Sequence, residues 1–411
     1  MKRVVITGMG VISPLGHEVD VFWDRLVAGH SGISTIDTFD VSESKVKIAG
    51  LVRDFDPVGR WGRREARKYD RFVQYAMAAA EIAVEDSGLK IENTDPERVG
   101  VYVGSGIGGI QTLLENVELL NKRGPKRVSP SLVPMMIANM APAQISIRFG
   151  AQGPSMSPVT ACSIGNTSIG ESFNTIIHGD ADVMIAGGAE AAITPISLAS
   201  FTNSTALSSR NDDPTRASRP FDANRDGFVM GEGAGVLILE SLEHALKREA
   251  PIYGEIIGYG ASSDAHHVVA PHPEGTGAYL AMKRALQRAN ITTKDIDVIS
   301  AHATSTIAGD FSETMAIKRL FGEDAYNIPV TANKSMLGHM FGAGGGAEAI
   351  ALIKTLQEGI IPPTINLDQP DEGCDLDYVP NVAREADVTI GLSNSFGFGG
   401  HNASIVLKKY E

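Results

Sequence analysis

Cysteine is scarce: Cys162 and Cys374 are the whole supply in 411 residues. Two thiols build neither a disulfide framework nor a four-cysteine metal site, and a reducing compartment such as the cytoplasm fits that usage. Long apolar runs are also missing, so no segment reads as a membrane span. The opening Met1-Lys2-Arg3, followed by Val4, Val5 and Ile6, has the charge order of a signal peptide. Gly8, Gly10 and Pro14 interrupt its apolar run, and no small-residue cleavage site follows, so it reads as a first strand. Positive charge is in deficit: 36 Lys and Arg face 49 Asp and Glu, a net charge of −13. That balance speaks against nucleic acid or an anionic membrane as the general partner. The loop Gly104-Ser105-Gly106-Ile107-Gly108-Gly109 lacks the Lys-Ser/Thr of a phosphate loop and an acidic ribose partner, so no nucleotide is expected there. Histidines and acids show no zinc spacing.

What is present is a globular composition, 43% apolar and 21% charged, with 44 glycines for turns and close backbone approaches. The length calls for two domains or two fused halves. Strands are expected over Val4 to Met9, Val99 to Val103, an apolar run ending at Cys162, Ala181 to Ala186 and Gly235 to Leu239. Helices are expected over Phe72 to Ser87, Val133 to Phe149 (despite Pro134 and Pro142), and from Cys162 to a stop at Gly179. The order then returns. Tyr253 to Gly260 echoes Val4 to Gly10, and Thr276 to Ala289 reads as a helix. Ile296 to Ala301 is a strand, Phe311 to Phe321 a helix, Gly346 to Gln357 a helix, and Val388 to Leu392 and Ala403 to Leu407 strands. Pro329-Val330-Thr331-Ala332 repeats Pro158-Val159-Thr160-Ala161 letter for letter, with Asn333 where Cys162 stood. Each half reads β-α-β-α-β-α-β-β, divided at residues 1–250 and 251–411. Such alternation predicts an α/β protein with largely parallel sheets, two of them stacked with helices between.

Cys162 is placed at a strand-to-helix turn, where a helix N-terminus favours thiolate. A buried structural cysteine fits the same stretch. His302 follows the strand Ile296 to Ala301, and His339 follows Pro329 to Ala332 by a few residues; strand ends are where open α/β sheets place ligands. Each alone reads equally as a loop residue. Together with a cysteine they suit thioester chemistry: the thiolate accepts an acyl group, and two imidazoles stabilise an enolate formed by decarboxylation. A cysteine hydrolase gives the second histidine and Lys334 no role. Gly342 to Gly346 and Gly397 to His401 suggest backbone close to a ligand, or tight turns. Cys374, among Asp371, Glu372, Asp375 and Asp377, reads as inert.

Four motifs are specific: Val159-Thr160-Ala161-Cys162, His302-Ala303-Thr304-Ser305-Thr306, Lys334-Ser335-Met336-Leu337-Gly338-His339 and Gly227-Phe228-Val229-Met230-Gly231-Glu232-Gly233. In these the whole chain closely resembles the β-ketoacyl-acyl carrier protein synthases, type II, of bacterial fatty-acid synthesis. The resemblance implies a thiolase-like fold, a five-layer αβαβα sandwich of duplicated halves, the first with cap and dimer-interface insertions. It implies Cys162 as nucleophile, His302 and His339 as decarboxylation and enolate groups, and Lys334 as their orienting residue. Asp310 and Glu313 would be supporting acids. The backbone N–H groups of Cys162 and Phe398 would form an oxyanion hole, with Phe398 also a gate. Ile107 and Phe201 would line the acyl pocket, and Thr304 and Thr306 would meet the phosphopantetheine arm. No cofactor would be needed for the chemistry, since the arm is carried by the partner acyl carrier protein. A structural Na⁺ or K⁺ would sit near Glu348, Ser393 and Asn394. The family forms homodimers.

An acidic chain meeting an acidic carrier protein needs a local basic patch. Arg63, Arg64, Arg67 and Lys68 are expected to share a helical face, extended by Lys126 and Arg127. Several positions depart from the family pattern: Ala303 replaces a glycine, Asn333 and Val269 stand where hydroxyl residues are usual, and Ser163-Ile164 changes the turn after the nucleophile. If position 303 has positive φ, alanine there carries strain on the order of 1 kcal/mol. A polyketide ketosynthase, or a catalytically silent scaffold or chain-length partner subunit, is the alternative reading.

Overall fold

A computed structural model describes residues 2–411. The first half contributes β1 (Val4–Ile12), α1 (Arg71–Ser87), β2 (Val99–Gly104), α2 (Met140–Phe149), β3 (Ser155–Met156), α3 (Ile164–His178), β4 (Val183–Glu190) and β5 (Gly233–Ser241). The second contributes β6 (Gly254–Ser263), α4 (Thr276–Ala289), β7 (Val298–Ser300), α5 (Ile307–Phe321), β8 (Val330–Thr331), α6 (Gly344–Glu358), β9 (Ile390–Gly397) and β10 (His401–Lys408). The order is the same in both.

The two sheets are not separate. They join into one ten-stranded sheet, β8-β7-β9-β10-β6-β1-β5-β4-β2-β3. The seam is the antiparallel pair of the first strands of each half, with Val4 opposite Ile256 and Ile6 opposite Gly254. Reading outward from that seam gives the same strand order in each direction, which is the duplication expressed as topology.

The strands read as nearly continuous apolar runs because both faces are covered. On β5, Leu237 and Leu239 enter the central core while Val236 and Ile238 enter an outer one. The central core holds α3 and α6, with Ile169, Phe173 and Ile176 from the first and Ile350, Ile353 and Leu356 from the second. One outer core packs α1 and α2, and the other packs α4 and α5. At roughly 25 cal/mol per Å² of apolar surface removed from water, these three cores dominate folding. Helix ends follow local chemistry: the Asp70 side chain accepts from the Phe72 N–H, and Gly88 closes α1 at φ 62°.

Three expectations need correction. The segment 133–149 is two helices, Leu132–Met136 and Met140–Phe149. Pro134 and Pro142 each fall in a first turn, where a missing N–H costs nothing. The run before Cys162 is not a strand: β3 ends at Met156, and Ala161–Ser163 is a 3₁₀ turn. The letter-for-letter match is therefore out of register. In the structure the counterpart of Ala161-Cys162-Ser163 is the turn Phe341–Ala343, which enters α6 as the other enters α3. Gly342, not Asn333, stands where Cys162 stands. Finally, the helix expected to carry the basic residues is short, Arg63–Ala66 with Arg67 as its C-cap. Arg63, Arg64, Arg67, Lys126 and Arg127 are exposed all the same, while Lys68 pairs with Glu65 at 2.6 Å.

Candidate active site

The N-termini of α3 and α6 meet with no room for side chains. A Cβ on Gly165 would lie 2.5 Å from the Gly346 nitrogen and 2.7 Å from the Gly345 Cα. That approach sets the Cys162 turn beside the His339 loop. His339 is fixed by its own backbone, which donates to the Val229 carbonyl at 2.7 Å and accepts from the Gly231 N–H at 2.8 Å. The Gly227–Gly233 motif thus serves as a splint for the histidine. His302 leaves β7 on a backbone held by Glu313, whose oxygens accept from the His302 and Ala303 N–H groups at 2.9 and 2.8 Å.

The result is a compact cluster. His339 Nε2 lies 2.9 Å from Cys162 Sγ. The His302 and His339 rings are 5.6 Å apart and perpendicular. They open on a cavity of ≈ 380 Å³ whose lining includes Ile107, Phe201, Thr304, Thr306 and Phe398. Lys334 lies behind them, buried and ion-paired with Glu348 at 2.5 Å. It makes no hydrogen bond to either imidazole and acts on them through its charge. Asp310 is more remote. It accepts from the Phe221 and Ser305 N–H groups and faces Arg225 at 3.4 Å, so it braces the loop after His302. Ala303 adopts φ 31°, the left-handed strain expected where the family has glycine.

Burial decides the protonation states. It pushes the Cys162 thiol up to about 12; Lys334 opposes it, Glu190 adds to it, and the backbone N–H groups of Phe398 and Cys162 oppose it. Burial thus works against the thiolate that the helix N-terminus favours. Burial, then Lys334, holds both imidazoles neutral, well below the usual histidine range. Each Nδ1 is buried without a partner. An orphaned N–H costs more than an orphaned lone pair, so the proton belongs on Nε2, the nitrogen facing the cavity. Cys374 is fully buried in the second outer core, and burial first, with Asp310 and Asp371 adding, pushes its thiol up to about 11.

Two contributors, Phe341 and Glu190, lie outside the sequence motifs, and a third, Phe228, lies inside the Gly227–Gly233 motif. Phe228 and Phe341 form an aromatic wall with Phe201, the last two stacked at 5.4 Å. Glu190 ends β4, fully buried in the cavity wall. Its signal was legible: a lone acid in the apolar run from Val183 to Ile193.

A reactive thiol, two neutral imidazoles and paired backbone N–H donors, set where two like halves meet, define a thiolase-type condensing enzyme. Residues 1–245 match the N-terminal domain of β-ketoacyl synthases and residues 253–368 the C-terminal domain. The 3-oxoacyl-[acyl-carrier-protein] synthase 2 of Synechocystis sp. is 49% identical over 410 residues, covering 100% of this chain and 99% of that protein. The protein of the same name from Coxiella burnetii is 50% identical over 408 residues, covering 99% of both. Among solved structures, a type II polyketide ketosynthase in complex with its acyl-carrier protein superposes with a TM-score of 0.92 at 33% identity, covering 100% of both chains. The chain belongs to the β-ketoacyl synthase family.

Proposed function

We propose that the chain is a 3-oxoacyl-[acyl-carrier-protein] synthase II that lengthens fatty acyl chains by two carbons. The observation that carries this is the 2.9 Å contact of Cys162 Sγ with His339 Nε2, beside His302, on a mostly apolar cavity. First, the Cys162 sulfur attacks the thioester carbonyl of an acyl-carrier protein. The N–H groups of Cys162 and Phe398 receive the carbonyl oxygen, the bond to the carrier sulfur breaks, and the thiol proton passes to that sulfur. Next, malonyl-carrier protein enters and its carboxylate leaves as carbon dioxide. The enolate oxygen takes hydrogen bonds from Nε2–H of His302 and His339. The enolate carbon then attacks the Cys162 thioester, and the cysteine sulfur departs and regains a proton from water. Neutral imidazoles suit this step, since they donate without holding the enolate as a fixed ion pair. Thr304 and Thr306, at the cavity wall, would meet the phosphopantetheine arm, and Phe398, 40% exposed, would gate the two half-reactions.

The partner in this reading is an acyl carrier protein, met by the exposed Arg63, Arg64, Arg67, Lys126 and Arg127. A second copy of the chain would cover the free edge at β3, where Met156 and Val159 are exposed beside Ile147, itself 73% exposed. A structural Na⁺ or K⁺ would sit at Glu348 and the Ser393–Asn394 backbone; the second oxygen of Glu348 is buried without a partner. Bacterial origin and a cytoplasmic setting fit this function; no helix among the described residues is long and apolar enough to cross a membrane. The test is release of labelled carbon dioxide together with chain elongation from acyl- and malonyl-carrier protein. Decarboxylation without elongation, or neither, defeats the reading in favour of a silent partner subunit.

A further inference from the structure

A carboxylate with no cation is an unusual neighbour for an acyl cavity. Glu190 is fully buried and makes four hydrogen bonds. Oε1 accepts from Ser105 Oγ at 2.8 Å and from the Ile107 N–H at 3.0 Å. Oε2 accepts from the Gly106 N–H at 2.9 Å and the Gly342 N–H at 3.2 Å. Three donors belong to the glycine-rich loop of the first half, which carries Ile107. The fourth belongs to the Phe341–Ala343 turn of the second half, which carries Phe341. Ile107 and Phe341 both line the cavity. Phe341 stacks on Phe201 and has its ring 4.8 Å from that of His339, and its backbone is held at φ 47°. Gly342 is close enough to Glu190 that a Cβ would lie 3.0 Å from Oε2.

We propose that Glu190 is a positioning residue that sets which acyl chains the enzyme accepts, by clasping together the two cavity walls that bear Ile107 and Phe341. This rests on the cavity being the acyl site. A carboxylate suits the position because both of its oxygens face N–H or O–H donors, so each must be an acceptor. An amide cannot replace it, because its NH₂ end would meet either the Gly106 and Gly342 N–H groups or that of Ile107. Releasing one wall lets Ile107 or Phe341 drift, and long chains, which touch the far wall, suffer most. The imidazoles are held by Glu313 and by the Val229–Gly231 backbone, so their placement depends on other contacts.

The test compares Glu190→Gln with the wild-type chain, using hexanoyl- and myristoyl-carrier protein as acyl donors and malonyl-carrier protein decarboxylation in the same preparations. Loss of a hydrogen bond to a buried charge corresponds to roughly tenfold or more in a binding constant. The expected result is a KM for the myristoyl donor raised about tenfold relative to that for the hexanoyl donor. Decarboxylation should fall far less. A uniform loss on both donors and on decarboxylation marks Glu190 as purely structural and overturns the proposal, as does an unchanged ratio. Ser105→Ala keeps the carboxylate and removes one donor. It should shift the ratio the same way by a smaller factor, and it decides the matter if Glu190→Gln fails to fold. Wild-type protein that elongates neither donor sinks the functional reading itself, whereas normal wild-type elongation with a flat variant ratio sinks only the clasp.

Discussion

In the first half the central helix α3 is entered through Ala161-Cys162-Ser163; in the second, α6 is entered through Phe341-Gly342-Ala343. Both turns are 3₁₀, both open with a non-glycine residue in the left-handed region, at φ 52° and 47°, and both lead into helices of 15 residues. They differ in what the second position does. Cys162 turns its sulfur toward His339 and its N–H toward the same reacting centre, while Gly342 has no side chain and gives its N–H to Glu190. A duplicated turn has kept its backbone and divided its labour: one copy carries the nucleophile, and the other supplies the wall and the space beside it.

Making the first turn resemble the second should have the largest effect. Cys162→Gly should abolish acyl transfer and elongation while leaving part of malonyl decarboxylation, since His302 and His339 remain. Measurable elongation would show that the sulfur is not the acyl carrier. Removing either imidazole should come next. His302→Ala or His339→Ala is expected to lower decarboxylation by roughly 10²–10³. Because burial keeps both imidazoles neutral well below the usual range, wild-type decarboxylation should not decline as pH falls from 7.5 to 6. A decline with the slope of a histidine titration would contradict the neutral pair.

The two cysteines sharpen the contrast between the halves. Iodoacetamide should label Cys162 and spare Cys374, through access to the cavity rather than acidity, because both thiols are raised by burial. Labelling of Cys162 should accelerate as pH rises from 7 to 9, by about tenfold per unit, as the thiolate fraction of a raised thiol grows. A rate that levels off below pH 8 would show a stabilised thiolate instead. Filling the second turn should be milder. Gly342→Ala brings a methyl group 3.0 Å from Glu190 Oε2 and 3.3 Å from Ile164 Cδ1, and overpacking of that kind costs about 1–3 kcal/mol in a denaturant melt. The smallest effect is expected at Ala303, held at φ 31°. Ala303→Gly releases strain of about 1–3 kcal/mol against an entropy cost of about 0.5–1 kcal/mol, so the melting temperature should rise slightly.

Sequence alone determined a good deal. The alternation of apolar strands and amphipathic helices, and its return after residue 250, follow from periods of 2 and 3.6 that any covered α/β sheet must show. Thr276–Ala289 matched its expected bounds because its apolar face and its end at Asn290, held at φ 55°, are local features. Cys162, His302 and His339 were legible as chemistry-bearing residues, each next to a strand or helix end. Tertiary structure decided the rest. Which residues correspond between the halves could not be read from letters, because the Pro-Val-Thr-Ala match is out of register with the elements; only the crossing of α3 and α6 at Gly165 and Gly345 makes Gly342 the partner of Cys162. The thiol's protonation state depends also on burial, which a helix-terminus argument does not contain and which raises the thiol. Glu190 was visible only as a lone acid in an apolar run. Its meaning came from four donors in two segments far apart in the chain, and only the folded backbone brings those together.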